Sequence, residues 1–339
     1  MSASPAIRTL SDVRDVIAGY RLPRVILTAL EMNLFTTVGT KSWTVPDLSK
    51  AMGVSERGLD IVCRVLASAG LLVKIKNQYR NSRLGATELN ATSPSYRGAY
   101  LDLLRNGWNH WSHLSDSVRS GKEIDDEAPP DDPVYRRQFT WAMHQRSIDA
   151  AADVARQVPM KRASTLLDLG GGPGTYAMAF LERNPGLTAT VCDRGPALDV
   201  AREIATLRKC GGRLSYLPLN FMQEAVPGHF DVVWYSNVLH IYSPEENQAL
   251  FRRLRSCLVH GGRLIVHDAF LLDRLGLKPL EVNLFAVTML LCTEHGNTYS
   301  LSAVVQWLRD AGFRRVRRLT LKAGTGDWEG GLLEASCPR

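Results

Sequence analysis

Leu166-Leu-Asp-Leu-Gly-Gly-Gly-Pro-Gly-Thr-Tyr176 decides the fold. An apolar run meets four glycines and then a helical pattern, so a strand turns tightly into a helix. Glycines belong where the backbone turns sharply and a ligand lies against it. The helix start beyond Gly174 offers unpaired N–H groups. Counted from Gly170, the dinucleotide fingerprint GxGxxG fails, because its sixth position is Thr175. Counted from Gly172, Gly-Pro-Gly-Thr-Tyr-Ala177 matches GxGxxA, but that frame starts late and puts Pro173 in the phosphate turn. The spacing Asp168-x-Gly170-x-Gly172-x-Gly174 fits better a ligand without a pyrophosphate. An acid just before the glycines repels phosphate and attracts an ammonium group, directly or through water.

Downstream, apolar runs ending at Leu169, Val191, Leu219, Trp234 and Val266 alternate with helical stretches. That alternation predicts a parallel sheet covered on both faces. The second run, Thr188-Ala-Thr-Val-Cys-Asp193, ends in a carboxylate 25 residues after Asp168 (193 − 168), placed to accept bonds from both hydroxyls of a ribose. After the third run, Asn220 is placed for an adenine edge, with Phe221 or Met222 on its face. The fourth, Phe230-Asp-Val-Val-Trp-Tyr-Ser236, is followed by Asn237 and His240, beyond a strand end that lines the ligand crevice of an open sheet.

Upstream the texture is helical. Apolar spacing predicts a helix over 12–38, a short helix from Thr44 to Gly53, a second over 55–69 and a small hairpin over 71–79: helix, turn, helix, wing. In a DNA reader the second helix presents basic residues to the groove. Here Glu56, Arg57, Asp60 and Arg64 sum to zero among Leu59, Ile61, Val62, Cys63, Val65 and Leu66, which makes a packing helix. Two helical stretches, 96–121 and 134–158, flank an acid- and proline-rich connector, 123–133. Trp141, Met143 and His144 make the second stretch a candidate pocket wall for a flat aromatic ligand. Met289, in an apolar helical run, is a further candidate. The domain limits read as 1–95, 96–158 and 159–339.

The 339 residues suit two domains, and 45% apolar with 22% charged residues excludes wholesale disorder. The N-terminus has no apolar signal region, and no apolar run approaches the roughly 20 residues of a membrane helix. The six cysteines form no CxxC pair, which argues against a zinc site and a disulfide framework and for a reducing cytoplasm. No metal cluster is expected. The net charge of +7 is spread as +3 over residues 1–160 and +4 over the rest, so no concentrated nucleic-acid face is expected.

Together these residues resemble the class I S-adenosylmethionine methyltransferases. More narrowly, they resemble the two-domain small-molecule O-methyltransferases, such as the caffeate and acetylserotonin enzymes and their bacterial natural-product relatives. The resemblance includes the winged-helix front end and the tail Gly296-Asn-Thr-Tyr-Ser-Leu…Trp307-Leu-Arg-Asp-Ala-Gly-Phe313. It implies an α/β fold: a Rossmann-like domain with a mostly parallel seven-stranded sheet, preceded by an α-helical winged-helix dimerisation domain, in a homodimer. It implies that S-adenosylmethionine lies with its methionine end along Asp168, Gly170 and Gly172, its ribose on Asp193, and its adenine near Asn220 and Phe221, with Ser236 completing the set. Leu239-His240 matches the first half of the Leu-His-Asp-Trp setting of the family's general base, and Asp268 matches the acid that orients it. A neutral hydroxyl is a poor nucleophile, and a base titrating near neutrality removes its proton as the oxygen attacks. His267 alternates to the other face of its strand and reads as structural.

Three positions depart from the family: Asn220 stands for an Asp, Ile241 for the Asp after the base, and Thr298 near the second orienting acid. The imidazole is therefore expected to be less firmly held. The function implied is methyl transfer to a hydroxyl of a small aromatic or polyketide-like metabolite, with Trp141, Met143, His144, Asn237 and Met289 around the acceptor. Two alternatives stand beside it: a relative that binds the cofactor but runs hydroxylase- or pericyclase-like chemistry, and a winged-helix regulator.

Overall fold

The computed structural model describes residues 7–124, 132–322 and 331–338, so most of the 123–133 connector lies outside the described residues. The chain divides into two compact units, Met1–Arg105 and Asn106–Arg339.

The first unit holds α1 (Leu10–Ala18), α2 (Arg21–Glu31), α3 (Leu34–Val38), β1 (Trp43–Thr44), α4 (Val45–Met52), α5 (Glu56–Ser68), β2 (Leu72–Ile75), β3 (Gln78–Asn81) and α6 (Arg83–Thr87). The single helix expected over 12–38 is three helices. It breaks after α1 and again at Asn33, whose φ of 53° is left-handed. The breaks turn Ala29, Leu34, Phe35 and Val38 into one core. Thr44 and Ser55 cap α4 and α5, and Gly53 at φ 68° ends α4. The three strands form an antiparallel sheet in the order β1-β3-β2. Leu59, Cys63 and Leu66, about a turn apart on α5, are buried in the same core.

The division falls inside α7 (Gly98–Ser112), so most of the stretch from 96 to 158 clusters with the second unit. The helix expected over 96–121 breaks at His113 into α7 and α8 (Leu114–Ser120). There follow α9 (Pro133–Gln157), β4 (Thr165–Leu169), α10 (Thr175–Arg183), β5 (Thr188–Asp193), α11 (Gly195–Leu207), β6 (Leu214–Pro218), β7 (Phe230–Ser236), α12 (Pro244–Leu254) and β8 (Leu258–His267). The unit ends with β9 (Phe270–Leu271), α13 (Leu280–Cys292), β10 (Tyr299–Ser300), α14 (Leu301–Asp310), β11 (Arg314–Leu319) and β12 (Leu332–Ser336).

Seven strands run in the order β11-β12-β8-β7-β4-β5-β6. The five from β8 to β6 are parallel, while β12 is antiparallel to both β8 and β11. Period-two alternation sorts the side chains to two faces. Leu167, Leu169, Tyr235 and Val266 pack on α12 and α14. Leu166, Val232, Trp234 and Ile265 pack on α9, α10 and α11. The chain builds outward from β4 through β5 to β6, then returns to add β7 and β8 on the other side. The order therefore reverses between β4 and β7, which opens a crevice at the carboxyl ends of the strands. Among the described residues, no helix is long and apolar enough to cross a membrane.

Candidate active site

The turn after β4 takes the shape its glycines allow. Gly170, Gly172 and Gly174 have φ of 67°, 49° and 68°, and Gly174 is the N-cap of α10. A Cβ on Gly171 would lie 2.6 Å from the Asp168 carboxyl carbon, and one on Gly170 would lie 2.7 Å from Val238. A side chain at Gly171 would drive the Asp168 carboxylate from its place. Asp168 is 2% exposed, and its Oδ2 accepts from the Ala177 N–H of α10 at 3.2 Å. Burial pushes its carboxyl up to about 7, and the nearby Asp193 charge adds to that.

Asp193, at the end of β5, closes the turn from the other side. Its Oδ2 accepts from the Gly172 N–H at 2.8 Å, and its Oδ1 from the Arg194 N–H at 2.7 Å. Burial raises its carboxyl despite these bonds. Asn220 is half-buried and makes a local turn, its Oδ1 accepting from the Met222 N–H at 3.3 Å. Phe221 is buried, with its ring tip 3.4 Å from where a Gly170 Cβ would stand. Asp168, Gly170, Gly172, Asp193 and Phe221 thus meet in one crevice.

Beyond β7, Asn237 has φ 55°, and a short 3₁₀ turn, Leu239–Ile241, carries His240. His240 is 7% exposed, and its Nδ1 lies 2.7 Å from Oδ1 of Asp268, which is fully buried. A carboxylate only accepts, so Nδ1 carries a proton, and in the neutral ring the lone pair is on Nε2. Oδ1 of Asp268 also accepts from the Ala269 N–H at 2.7 Å. The ring of Phe285 on α13 stands edge-on to the imidazole, 4.7 Å away at 77°. Val238 sits against Gly170, so the turn bearing the imidazole abuts the glycine turn.

The imidazole expected to be less firmly held has these contacts. Ile241 and Thr298 supply no acid, yet His240 is buried, paired, and bonded through its carbonyl to the Asn297 N–H at 2.9 Å.

Around these stand the other expected residues. Trp141 packs into the α9–α10–α11 core and bonds Glu203 of α11, so its indole serves that helix contact. His144 is buried, with Nδ1 2.8 Å from the Thr175 hydroxyl at the start of α10. Met143 is half-buried beside it, and Met289 is buried one turn along α13 from Phe285. The Ser236 hydroxyl is taken by His267 Nδ1 at 2.9 Å and by the Asn237 amide at 3.1 Å, so it holds Asn237 in place. His267 is wholly buried against Trp234 and Tyr176.

Phe285 and Arg136 also belong to the site, and the sequence pattern does not single them out. Spacing of i, i+4 from Met289 was the available signal for Phe285. Arg136 on α9 brings positive charge to Asp193 and Tyr242, which no local pattern marks. Among the described residues, no three His, Cys, Asp or Glu side chains are grouped to hold a metal.

A family model described as an O-methyltransferase domain matches residues 111–314, and one described as an O-methyltransferase dimerisation domain matches 15–90. The chain is 29% identical to a mitomycin biosynthesis 6-O-methyltransferase of Streptomyces lavendulae, over 92% of this chain and 91% of that protein. It is 25% identical to a 3-hydroxy-5-methyl-1-naphthoate 3-O-methyltransferase of Streptomyces sahachiroi, over 89% of each. A solved structure of an O-methyltransferase family protein from Burkholderia thailandensis superposes with a TM-score of 0.86 at 26% identity, covering 98% of this chain and 99% of that one.

Proposed function

Because the chain belongs to the O-methyltransferase family, we propose that it transfers a methyl group from S-adenosylmethionine to a hydroxyl of a small aromatic or polyketide-like molecule, with His240 as the base. The observation that carries this reading is the buried His240–Asp268 pair at 2.7 Å, set against the glycine crevice through Val238.

The crevice suits the cofactor. Asp168 and the N–H groups at the start of α10 would hold its methionine end, Asp193 its ribose, and Asn220 with Phe221 its adenine. At Gly172 nothing stands closer than 3.9 Å to where a Cβ would be, so a ligand can lie against that backbone, and the two acids match a ligand bearing a cation. When bound, the cofactor supplies a methyl made electrophilic by its sulfonium. His240 takes the acceptor's hydroxyl proton at Nε2, and Asp268 stabilises the resulting imidazolium at Nδ1. Phe285, Met289 and Met143 offer the apolar surface that holds a flat ring with its oxygen aligned. Asn237, whose amide donates to the Ser236 hydroxyl, would meet the acceptor through its carbonyl oxygen.

Calorimetric titration with S-adenosylmethionine and S-adenosylhomocysteine tests the site. Asp193→Ala removes the ribose acceptor and is expected to weaken both ligands at least tenfold, about the worth of one hydrogen bond to a charged group. No binding by the folded wild type would sink the reading. Binding with no S-adenosylhomocysteine formed across a panel of phenols would shift it to non-methylating chemistry.

The homodimer belongs to the same reading. It is supported by the dimerisation-domain match at 15–90 and by α1, which buries no side chain and exposes Leu10 and Ile17 by 83% and 65%. Sedimentation velocity is expected to give twice the 37.6 kDa chain mass, and Ile17→Glu to give the monomer. A wild-type monomer at micromolar concentration overturns it. Six free thiols, four of them buried, support a cytoplasmic setting.

A further inference from the structure

The turn that carries His240 is three residues long, and its own backbone bonds run from the Ile241 N–H to the Val238 carbonyl at 3.0 Å and from the Tyr242 N–H to the Leu239 carbonyl at 3.4 Å. Its backbone is gripped from α12. The side chain of Asn247 is wholly buried, and its Nδ2 donates to the carbonyls of Leu239, Tyr242 and Ser243, each at 3.0 Å. Its Oδ1 accepts from the buried Tyr235 hydroxyl of β7 at 3.1 Å. The Tyr299 hydroxyl adds a bond to the Tyr242 carbonyl at 2.6 Å.

We propose that Asn247 is a positioning residue for the base. It fixes the backbone on both sides of His240 and does for this imidazole what a second orienting acid would do elsewhere. The inference rests on His240 being the base, as proposed above. Buried carbonyls must be paired. Only a primary amide offers two N–H groups on one atom beside an acceptor for Tyr235. An apolar isostere removes the amide donor from all three carbonyls, leaving each with its other partner (the Tyr242 N–H on Leu239, the Tyr299 hydroxyl on Tyr242, the Asn247 backbone N–H on Ser243), and strips the Tyr235 hydroxyl of its acceptor. A carboxylate of the same shape still accepts from Tyr235 but turns a lone-pair-bearing oxygen toward three carbonyl oxygens. The two substitutions therefore separate donation from volume.

The test compares full-length wild type, Asn247→Leu, Asn247→Asp and Tyr299→Phe. S-adenosylhomocysteine titration counts the folded, binding-competent sites, and kcat is expressed per such site. The Nδ1–H proton of His240, identified by its absence in His240→Ala, is followed by NMR. Both Asn247 variants are expected to lower kcat about 10- to 100-fold, the cost of misplacing a reacting group by roughly 1 Å. Their KM and S-adenosylhomocysteine affinity should stay within about threefold, and the Nδ1–H resonance should broaden or vanish. Tyr299→Phe should move kcat and the resonance the same way by a smaller factor. An unchanged kcat per competent site, or an unchanged resonance, in both Asn247 variants overturns the proposal. Should neither fold, Tyr299→Phe decides it by the same two readouts. If His240→Ala keeps its activity, the base assignment fails, while the resonance still reports whether Asn247 holds the turn.

Discussion

Replacing His240 with Ala is expected to lower kcat for a phenolic acceptor by about 10²- to 10⁴-fold, the usual worth of a positioned general base. Cofactor affinity should hold within a few-fold, because the imidazole pairs with Asp268 and Phe285 and makes no bond to Asp168 or Asp193, which bond the Ala177 and Gly172 N–H groups. The loss should depend on the acceptor. An unactivated phenol needs its proton removed as the carbon–oxygen bond forms, so it should show the full effect. A phenol with a pKa near 7 arrives largely ionised and should lose much less. Rates across acceptors of graded acidity, measured by S-adenosylhomocysteine release, make the check. Equal kcat for wild type and variant on the least acidic phenol would remove His240 from the mechanism. Asp268→Asn should fall between the two, since an amide still fills the space but stabilises no imidazolium.

Asp168→Asn is expected to stabilise the cofactor-free protein at pH 8 while weakening cofactor binding at least about 30-fold. Burial raises the Asp168 carboxyl from an ordinary 3.8 to about 7. For a carboxyl raised on folding, the favourable contribution is present below 3.8 and is lost as the pH rises through 7. At pH 8 the folded protein therefore carries the cost of a buried charge, at most about 4 kcal/mol. The amide retains the bond from the Ala177 N–H and removes the charge. Its apo Tm should exceed that of wild type by several degrees at pH 8, with the gap closing toward pH 4. Cofactor binding needs the charge, so wild-type affinity should fall by up to tenfold per pH step below 7, a dependence the Asn variant lacks. Equal Tm values at pH 8, or undiminished binding by the variant, would contradict this account. A site kept at a cost in stability is what a functional acid leaves behind.

Much of the crevice was legible before any coordinates. Gly170, Gly172 and Gly174 announce positive φ, and all three adopt it. Asp168 and Asp193 stand at or next to the ends of successive strands, as the alternation of apolar runs requires. Thr44, Gly53 and Ser55 mark helix ends, and they cap or end α4 and α5. The helix expected over 12–38 misled because apolar spacing continues across Asn33, while the break depends on a core that spacing does not see.

What the sequence by itself determined is therefore local: the glycine turn, the acids at strand ends, the winged-helix order and the alternation that makes a parallel sheet. Each depends on φ/ψ preferences or on side-chain periods within a few residues, and these are written in the chain directly. Tertiary structure alone decided the rest. Phe285 covers the imidazole, Asn247 grips the turn, and Trp141 turns to Glu203, while the His240–Asp268 pair, expected from the resemblance, is closed across 28 residues by the packing of β7 beside β8. These outcomes depend on how each helix is rotated on the sheet. A rotation of one residue, about 100°, moves a side chain from the crevice to the core, and the packing of neighbouring elements sets that rotation.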